Sequence, residues 1–116
     1  MSDGYLTTHV LDTARGQPAA GLRIELFALD GAPRPLADVT TNADGRTDTP
    51  ILPKADFATG RFELVFHVGH WLAAEGLDSG PAFLDEVPIR FAMTEAQHYH
   101  VPLLLSPYGY TTYRGS

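Results

Sequence analysis

Glycine and proline set the first constraint on this chain. With 11 Gly and 9 Pro among 116 residues, the backbone is interrupted too often for long helices, because proline removes a donor and fixes φ while glycine marks turns. Between the interruptions the apolar residues alternate with period two, the signature of half-buried strands. Residues 6–12 form the first predicted strand and residues 15–18 a turn. In the strand predicted over 22–29, Leu22, Ile24, Leu26 and Ala28 face one way and Arg23 and Glu25 the other. A loop over 30–35 leads to a strand over 36–41, and Asn42-Ala43-Asp44-Gly45 is a strong tight-turn signal, since Asn, Asp and Gly tolerate positive φ. The clearest strand is 62–68, with Phe62, Leu64, Phe66 and Val68 on one face. Residues 69–76 make the one plausible helix, closed by Gly76 as a C-cap. Strands over 87–93, 97–105 and 110–113 complete the pattern. About eight short strands with one short helix predict an all-β fold, an antiparallel β-sandwich. The length suits a single domain over 1–116.

Composition narrows the function. The chain has no cysteine, which removes disulfides, thiolate metal sites and a cysteine nucleophile. Its formal charge of −6, with only 8 Lys and Arg and no basic run, argues against nucleic-acid and acidic-membrane partners. No apolar run approaches the ~20 residues needed to cross a bilayer. Met1-Ser2-Asp3-Gly4 has neither a basic nor an apolar leader character, so the expected location is cytoplasmic.

The residues that point to chemistry sit on strand faces that the core does not claim. In 6–12, Thr7, His9 and Leu11 face one side and Leu6, Thr8 and Val10 the other. In 97–105, Tyr99, Val101, Leu103 and Leu105 belong to the core, which turns His98, His100 and Pro102 outward. An isolated histidine is most often surface or core-edge decoration. His67, read on the exposed side of its strand, and His70, at the start of the helix, fall in that class. The His-x-His spacing of His98 and His100 puts both rings on one face, ~6.5–7 Å apart along the strand. Together with His9 these rings are compatible with a zinc site, but no Cys, no His-Glu-x-x-His and no acidic pattern completes one. As uncharged imidazoles they suit general acid–base catalysis near neutral pH. Arg46, directly after the tight turn, is either a solvated side chain or a planar fork for an anionic, carbonyl-rich substrate. The run Tyr110-Thr111-Thr112-Tyr113-Arg114-Gly115-Ser116 is aromatic and β-branched, unlike a flexible polar tail.

Four blocks in order carry a resemblance: Leu6-Thr7-Thr8-His9-Val10-Leu11-Asp12-Thr13, Thr41-Asn42-Ala43-Asp44-Gly45-Arg46, Tyr99-His100-Val101-Pro102-Leu103-Leu104-Leu105-Ser106-Pro107, and Tyr113-Arg114-Gly115-Ser116. Along essentially its whole length the sequence resembles the 5-hydroxyisourate hydrolases, the transthyretin-related proteins. The terminal Tyr-Arg-Gly-Ser separates these from transthyretins proper. The resemblance implies a transthyretin-like sandwich and hydrolytic ring opening of 5-hydroxyisourate to 2-oxo-4-hydroxy-4-carboxy-5-ureidoimidazoline in urate degradation. It also implies no metal or organic cofactor. The assembly it implies is a homotetramer, a dimer of dimers with the sites at the dimer–dimer junction. It assigns His9, Arg46, His100 and Ser116 to catalysis, with His9, Arg46, Tyr113 and Arg114 around the substrate. Which histidine is the base, what His98 does, and whether Ser116 is nucleophile, water-orienting group or structural element are left open at this level. The departures are small: Thr111 stands where the family usually has Ser, and His70-Trp71 replaces a more typical acidic–aromatic pair. The alternative functional reading is a transthyretin-like carrier that binds a small ligand without turning it over.

Overall fold

The computed structural model describes residues 3–78 and 81–115. Its elements run in the order β1 (Tyr5–Asp12), β2 (Gln17–Pro18), β3 (Arg23–Ala28), β4 (Arg34–Thr40), β5 (Gly60–Phe66), α1 (Val68–Ala74), β6 (Val87–Met93), β7 (His98–Ser106) and β8 (Gly109–Thr112), with a 3-10 turn at Lys54–Asp56. They form two four-stranded sheets, ordered β2-β1-β7-β8 and β4-β3-β5-β6. Neighbours pair antiparallel except β1 and β7, which run parallel with Thr7 opposite His100 and Tyr5 opposite His98. Period-two alternation reports which face a residue takes and not which way the neighbouring strand runs.

The strands close on each other as the alternation demands. Leu6 and Val10 from β1 and Tyr99, Val101, Leu103 and Leu105 from β7 meet Ile24, Leu26, Phe62, Leu64 and Phe66 from β3 and β5 in one core cluster. Each such side chain stabilises the fold by about 1.5–3 kcal/mol when fully buried. Trp71 of α1 caps this core, its indole N–H donating to the Ala20 carbonyl at 2.7 Å.

Several boundaries differ from the sequence expectation. Strand β5 stops at Phe66 and the helix begins at Val68, because His67 takes φ −84° and ψ 69° and the Gly69 amide donates to Asp85 at 2.8 Å. The strand expected over 36–41 starts at Arg34, and that expected over 110–113 shifts to Gly109–Thr112. A bulge at Leu26/Phe27 changes the β3–β4 register. Strand β2, two residues long, is too short to show alternation. Pro102 takes the outward register yet is buried, with the Thr112 hydroxyl donating to its carbonyl at 2.8 Å. Among the described residues no helix is long and apolar enough to cross a membrane.

Candidate active site

The parallel pairing of β1 and β7 decides where the imidazoles go. Partners across a ladder share a face, so Tyr5, Thr7 and His9 lie on the outer face with His98 and His100. Thr7 Oγ1 sits between two rings, 2.6 Å from His98 Nε2 and 2.8 Å from His100 Nδ1. Tyr5 stacks on His98 with ring centroids 4.1 Å apart and planes at 5°, and the Lys54 ammonium lies 5.6 Å from the Tyr5 ring centre. Thr7 and Tyr5 were not singled out from the sequence. Alternation placed Thr7 on the face of His9, but only the register β1–β7 brings it to His100.

Arg46 is delivered by the tight turn. Asn42 Oδ1 accepts from the amides of Asp44 at 2.9 Å and Arg46 at 3.2 Å, and the Asn42 amide donates to the Arg46 carbonyl at 2.8 Å. Gly45 lets the turn lie flat on β1. It has φ 73°, and a Cβ there would come 2.4 Å from the Val10 carbonyl oxygen, so another residue would both strain the backbone and clash. The Val10 amide donates to Gly45 at 2.8 Å, and Arg46 bridges antiparallel to His9. Arg15, Arg23, Arg34 and Arg90 each hold a carboxylate. Arg46 is exposed and has no ion-pair partner among the described residues, which leaves its fork available to an anion.

Both imidazoles are held uncharged. Burial lowers the His9 pKa below the usual 6.5, and the Arg46 guanidinium lowers it further; a backbone hydrogen bond and the carboxylate of Asp44 oppose them less strongly. Burial also lowers His100, assisted by Arg46, His9 and His98. At neutral pH the site therefore offers lone pairs, beside a permanent positive charge. The rings of His98 and His100 are 6.2 Å apart between centroids. Among the described residues no group of three or more His, Asp or Glu side chains is arranged to hold a metal ion.

The C-terminal segment reaches this face through Gly115. Its amide donates to the His100 carbonyl at 2.7 Å, and a Cβ on Gly115 would meet His100 Cδ2 at 2.7 Å. Ser116, the next residue, lies outside the described residues. Arg114 turns the other way, its guanidinium 4.7 Å over the ring of Tyr99, a core-side residue of β7. Arg114 and Tyr113 line a cavity of about 230 Å³ with Ile89, Phe91 and Val101, so they hold the segment at the open edge between the sheets and do not join the histidines. Thr7 and Arg46 instead share a smaller cavity of about 150 Å³ with Asp48. His67 is not on an exposed strand face as expected. It precedes α1, is 12% exposed, and its Nε2 lies 2.7 Å from Glu25. With His70 it lines a separate cavity of about 460 Å³ against α1.

Comparison with known proteins bears on this arrangement. The sequence pattern described as the HIUase/Transthyretin family matches residues 6–115. A 5-hydroxyisourate hydrolase of Mesorhizobium japonicum is 63% identical, over 97% of this chain and 93% of its own. Among solved structures, Klebsiella pneumoniae 5-hydroxyisourate hydrolase is similar with a TM-score of 0.82 and 34% identity, covering 97% of this chain and 99% of that one. An (S)-allantoin synthase is similar with a TM-score of 0.89 and 42% identity; 97% of this chain spans only 44% of that one.

Proposed function

Because the chain belongs to the HIUase/Transthyretin family, we propose that the outer face of β1 and β7 is where it hydrolyses 5-hydroxyisourate. The observation that supports this reading most is the convergence of two uncharged imidazoles, His9 and His100, on an unpaired Arg46. Hydrolysis of a cyclic amide needs a base to take a proton from water, a positive group to hold the oxyanion, and an acid to protonate the leaving nitrogen. The two histidines supply the proton transfers. Arg46 binds the substrate oxygens and stabilises the charge that forms when hydroxide adds to the carbonyl. The C–N bond then breaks, the nitrogen takes a proton, and the new carboxylate leaves. Tyr113 and Arg114 act at the edge of the site by anchoring the segment that leads to Ser116, whose hydroxyl orients the attacking water.

The functional unit in this reading is the single domain over 1–116, acting without a metal or organic cofactor. It assembles as a homotetramer, a dimer of dimers in the cytoplasm, in which another subunit covers the outer face. Outward imidazoles that a monomer leaves half-buried are then enclosed. The test is to generate 5-hydroxyisourate from urate with urate oxidase and follow its ultraviolet decay with and without the protein. Faster decay in proportion to protein is the expected result. Binding of the substrate with an unchanged decay rate would instead identify a carrier.

A further inference from the structure

We infer that Thr7 and His98 are positioning residues for His100, fixing it as the tautomer with its proton on Nδ1 and its lone pair on Nε2. The inference rests on the hydrolase reading and adds to it which nitrogen of His100 acts and what holds it. It starts from the hydroxyl of Thr7, which contacts His98 Nε2 at 2.6 Å and His100 Nδ1 at 2.8 Å. A hydroxyl has one hydrogen to donate. Its contact with the Tyr99 carbonyl, at 3.5 Å, is far longer than either ring contact, so the hydrogen goes to one ring, the hydroxyl accepts from the other, and the two tautomers are tied together.

The distances choose the direction. An N–H donor approaches oxygen to about 2.7–3.2 Å, whereas an O–H donor reaches shorter separations. The 2.8 Å contact suits an N–H of His100 donating to Thr7, and the 2.6 Å contact suits the Thr7 hydroxyl donating to His98 Nε2. His98 is kept in place by its stacked contact with Tyr5 at 4.1 Å. Among the described residues nothing hydrogen-bonds His100 Nε2, so that lone pair is the one open to substrate or water. When Nε2 takes a proton from water, the Nδ1–H remains bonded to Thr7, and no bond has to rearrange as the imidazolium forms. The uncharged state that burial, Arg46 and His9 impose on His100 keeps the lone pair available at neutral pH. The arrangement assigns His100 as the base, and the proton it takes from water is then available to the leaving nitrogen.

Three variants test this in the oligomer as purified: Thr7→Val removes the hydroxyl at constant shape, Thr7→Ser keeps it, and His98→Phe keeps the stack on Tyr5 but cannot accept. Thr7→Val should lower kcat by about tenfold or more, a part of the ~10²–10⁴-fold that a general base contributes, with KM within about twofold of the unaltered protein. Its acid limb should move to lower pH, because an imidazolium without its acceptor is harder to form. Thr7→Ser should restore both. His98→Phe should lower kcat by a smaller factor, and the double variant should be no slower than Thr7→Val, since both act through one hydrogen-bond chain. Separately, ¹⁵N spectra of the ring nitrogens should show His100 protonated on Nδ1, shifting toward a mixture in Thr7→Val. Wild-type kcat in Thr7→Val, a Thr7→Ser variant as slow as Thr7→Val, or a His100 ring protonated on Nε2 would each overturn the inference. If the unaltered protein does not hydrolyse 5-hydroxyisourate at all, the hydrolase reading fails. The spectra then still decide the tautomer on their own.

Discussion

The two sheets both turn a polar face outward, and the faces differ in how their charges are settled. On the β4-β3-β5-β6 sheet, most basic groups meet carboxylates, Arg61 being the exception among the described residues. Arg23 holds Asp38 through two bonds of 2.9 and 2.8 Å, Arg90 holds Glu63 at 2.8 Å, and His67 holds Glu25 at 2.7 Å. On the β2-β1-β7-β8 sheet, His9, His98 and His100 share their face with Arg46. The nearest carboxylate acting on His9, Asp44, is outweighed there by Arg46. A face whose charges are mostly paired has less to offer a ligand. A face with an unpaired guanidinium and neutral imidazoles suits an anionic or carbonyl-rich partner, and the contrast supports the proposed site without reference to any relative.

The largest effect should come from removing the imidazoles on the unpaired face. His9→Ala and His100→Ala should each reduce kcat by about 10²-fold or more, the range for loss of a general acid or base. His67→Ala, on the paired face, should leave kcat near that of the unaltered protein. The urate oxidase-coupled assay on all three variants makes the comparison, with thermal melting to show that each is folded. Equal losses in His67→Ala and His9→Ala would erase the distinction between the faces.

Much of that distinction is legible in the sequence. Alternation alone places His9 with Thr7, and His98 with His100, away from core residues such as Val10 and Tyr99. The tight turn at Asn42–Gly45 announces where Arg46 emerges. The joining of these pieces is not legible, because it depends on contacts between residues some ninety positions apart, such as Thr7 with His100. Period-two patterning leaves the parallel pairing of β1 and β7 undetermined. The same reason hid the partner of His67: Glu25 is 42 residues away on β3, and nothing local to His67 indicates that its ring is paired. The helix boundary was missed by one residue because Val68 continues the alternation of Phe62, Leu64 and Phe66 while its backbone has already turned.

Arg46→Ala should produce the next largest effect and a different kind of loss. A residue that binds both ground-state oxygens and the developing oxyanion affects KM as well as kcat. We expect KM to rise by about tenfold, a figure typical of one lost charged contact worth about 1.4 kcal/mol, together with a fall in kcat. Arg46→Lys should recover part of the charge effect but not the two-pronged geometry. A pure kcat effect with unchanged KM would move Arg46 out of substrate binding and into transition-state stabilisation alone.

The pH dependence is smaller near neutrality and has a definite sign. His9 and His100 both lie below the usual 6.5 in the folded protein. The active, uncharged form therefore persists below pH 6.5, and the acid limb of kcat should begin under that value, falling up to about tenfold per pH unit for each required base. Stability should follow the same direction. The unfolded chain protonates these residues at higher pH than the folded one, so their contribution is complete above pH 6.5 and is lost as pH falls through the lowered values. Parallel measurements of kcat and melting temperature between pH 5 and 8 check both. An acid limb centred above 6.5 would contradict the uncharged reading of the site.

The smallest effect is expected where the charges are already paired, and it is the control that gives the others meaning. Arg23 and Asp38 hold each other across β3 and β4, but about half of each side chain is exposed, so solvent screens their attraction and breaking it costs the fold little. Arg23 also lies 3.6 Å from Glu25, so its loss removes one positive neighbour from the carboxylate that pairs with His67. That perturbation stays on the outer surface of the β4-β3-β5-β6 sheet, separated from His9 and His100 by the core of Ile24, Leu26, Leu64 and Val10. Arg23→Ala and Asp38→Ala should accordingly leave kcat and KM within about twofold of the unaltered protein, as expected for exposed substitutions away from a site. They should shift the melting temperature only slightly, and less at high salt than at low salt. If either variant slowed turnover as Arg46→Ala does, the two faces would be coupled through the core, and the pairing of charges would no longer separate a structural surface from a working one.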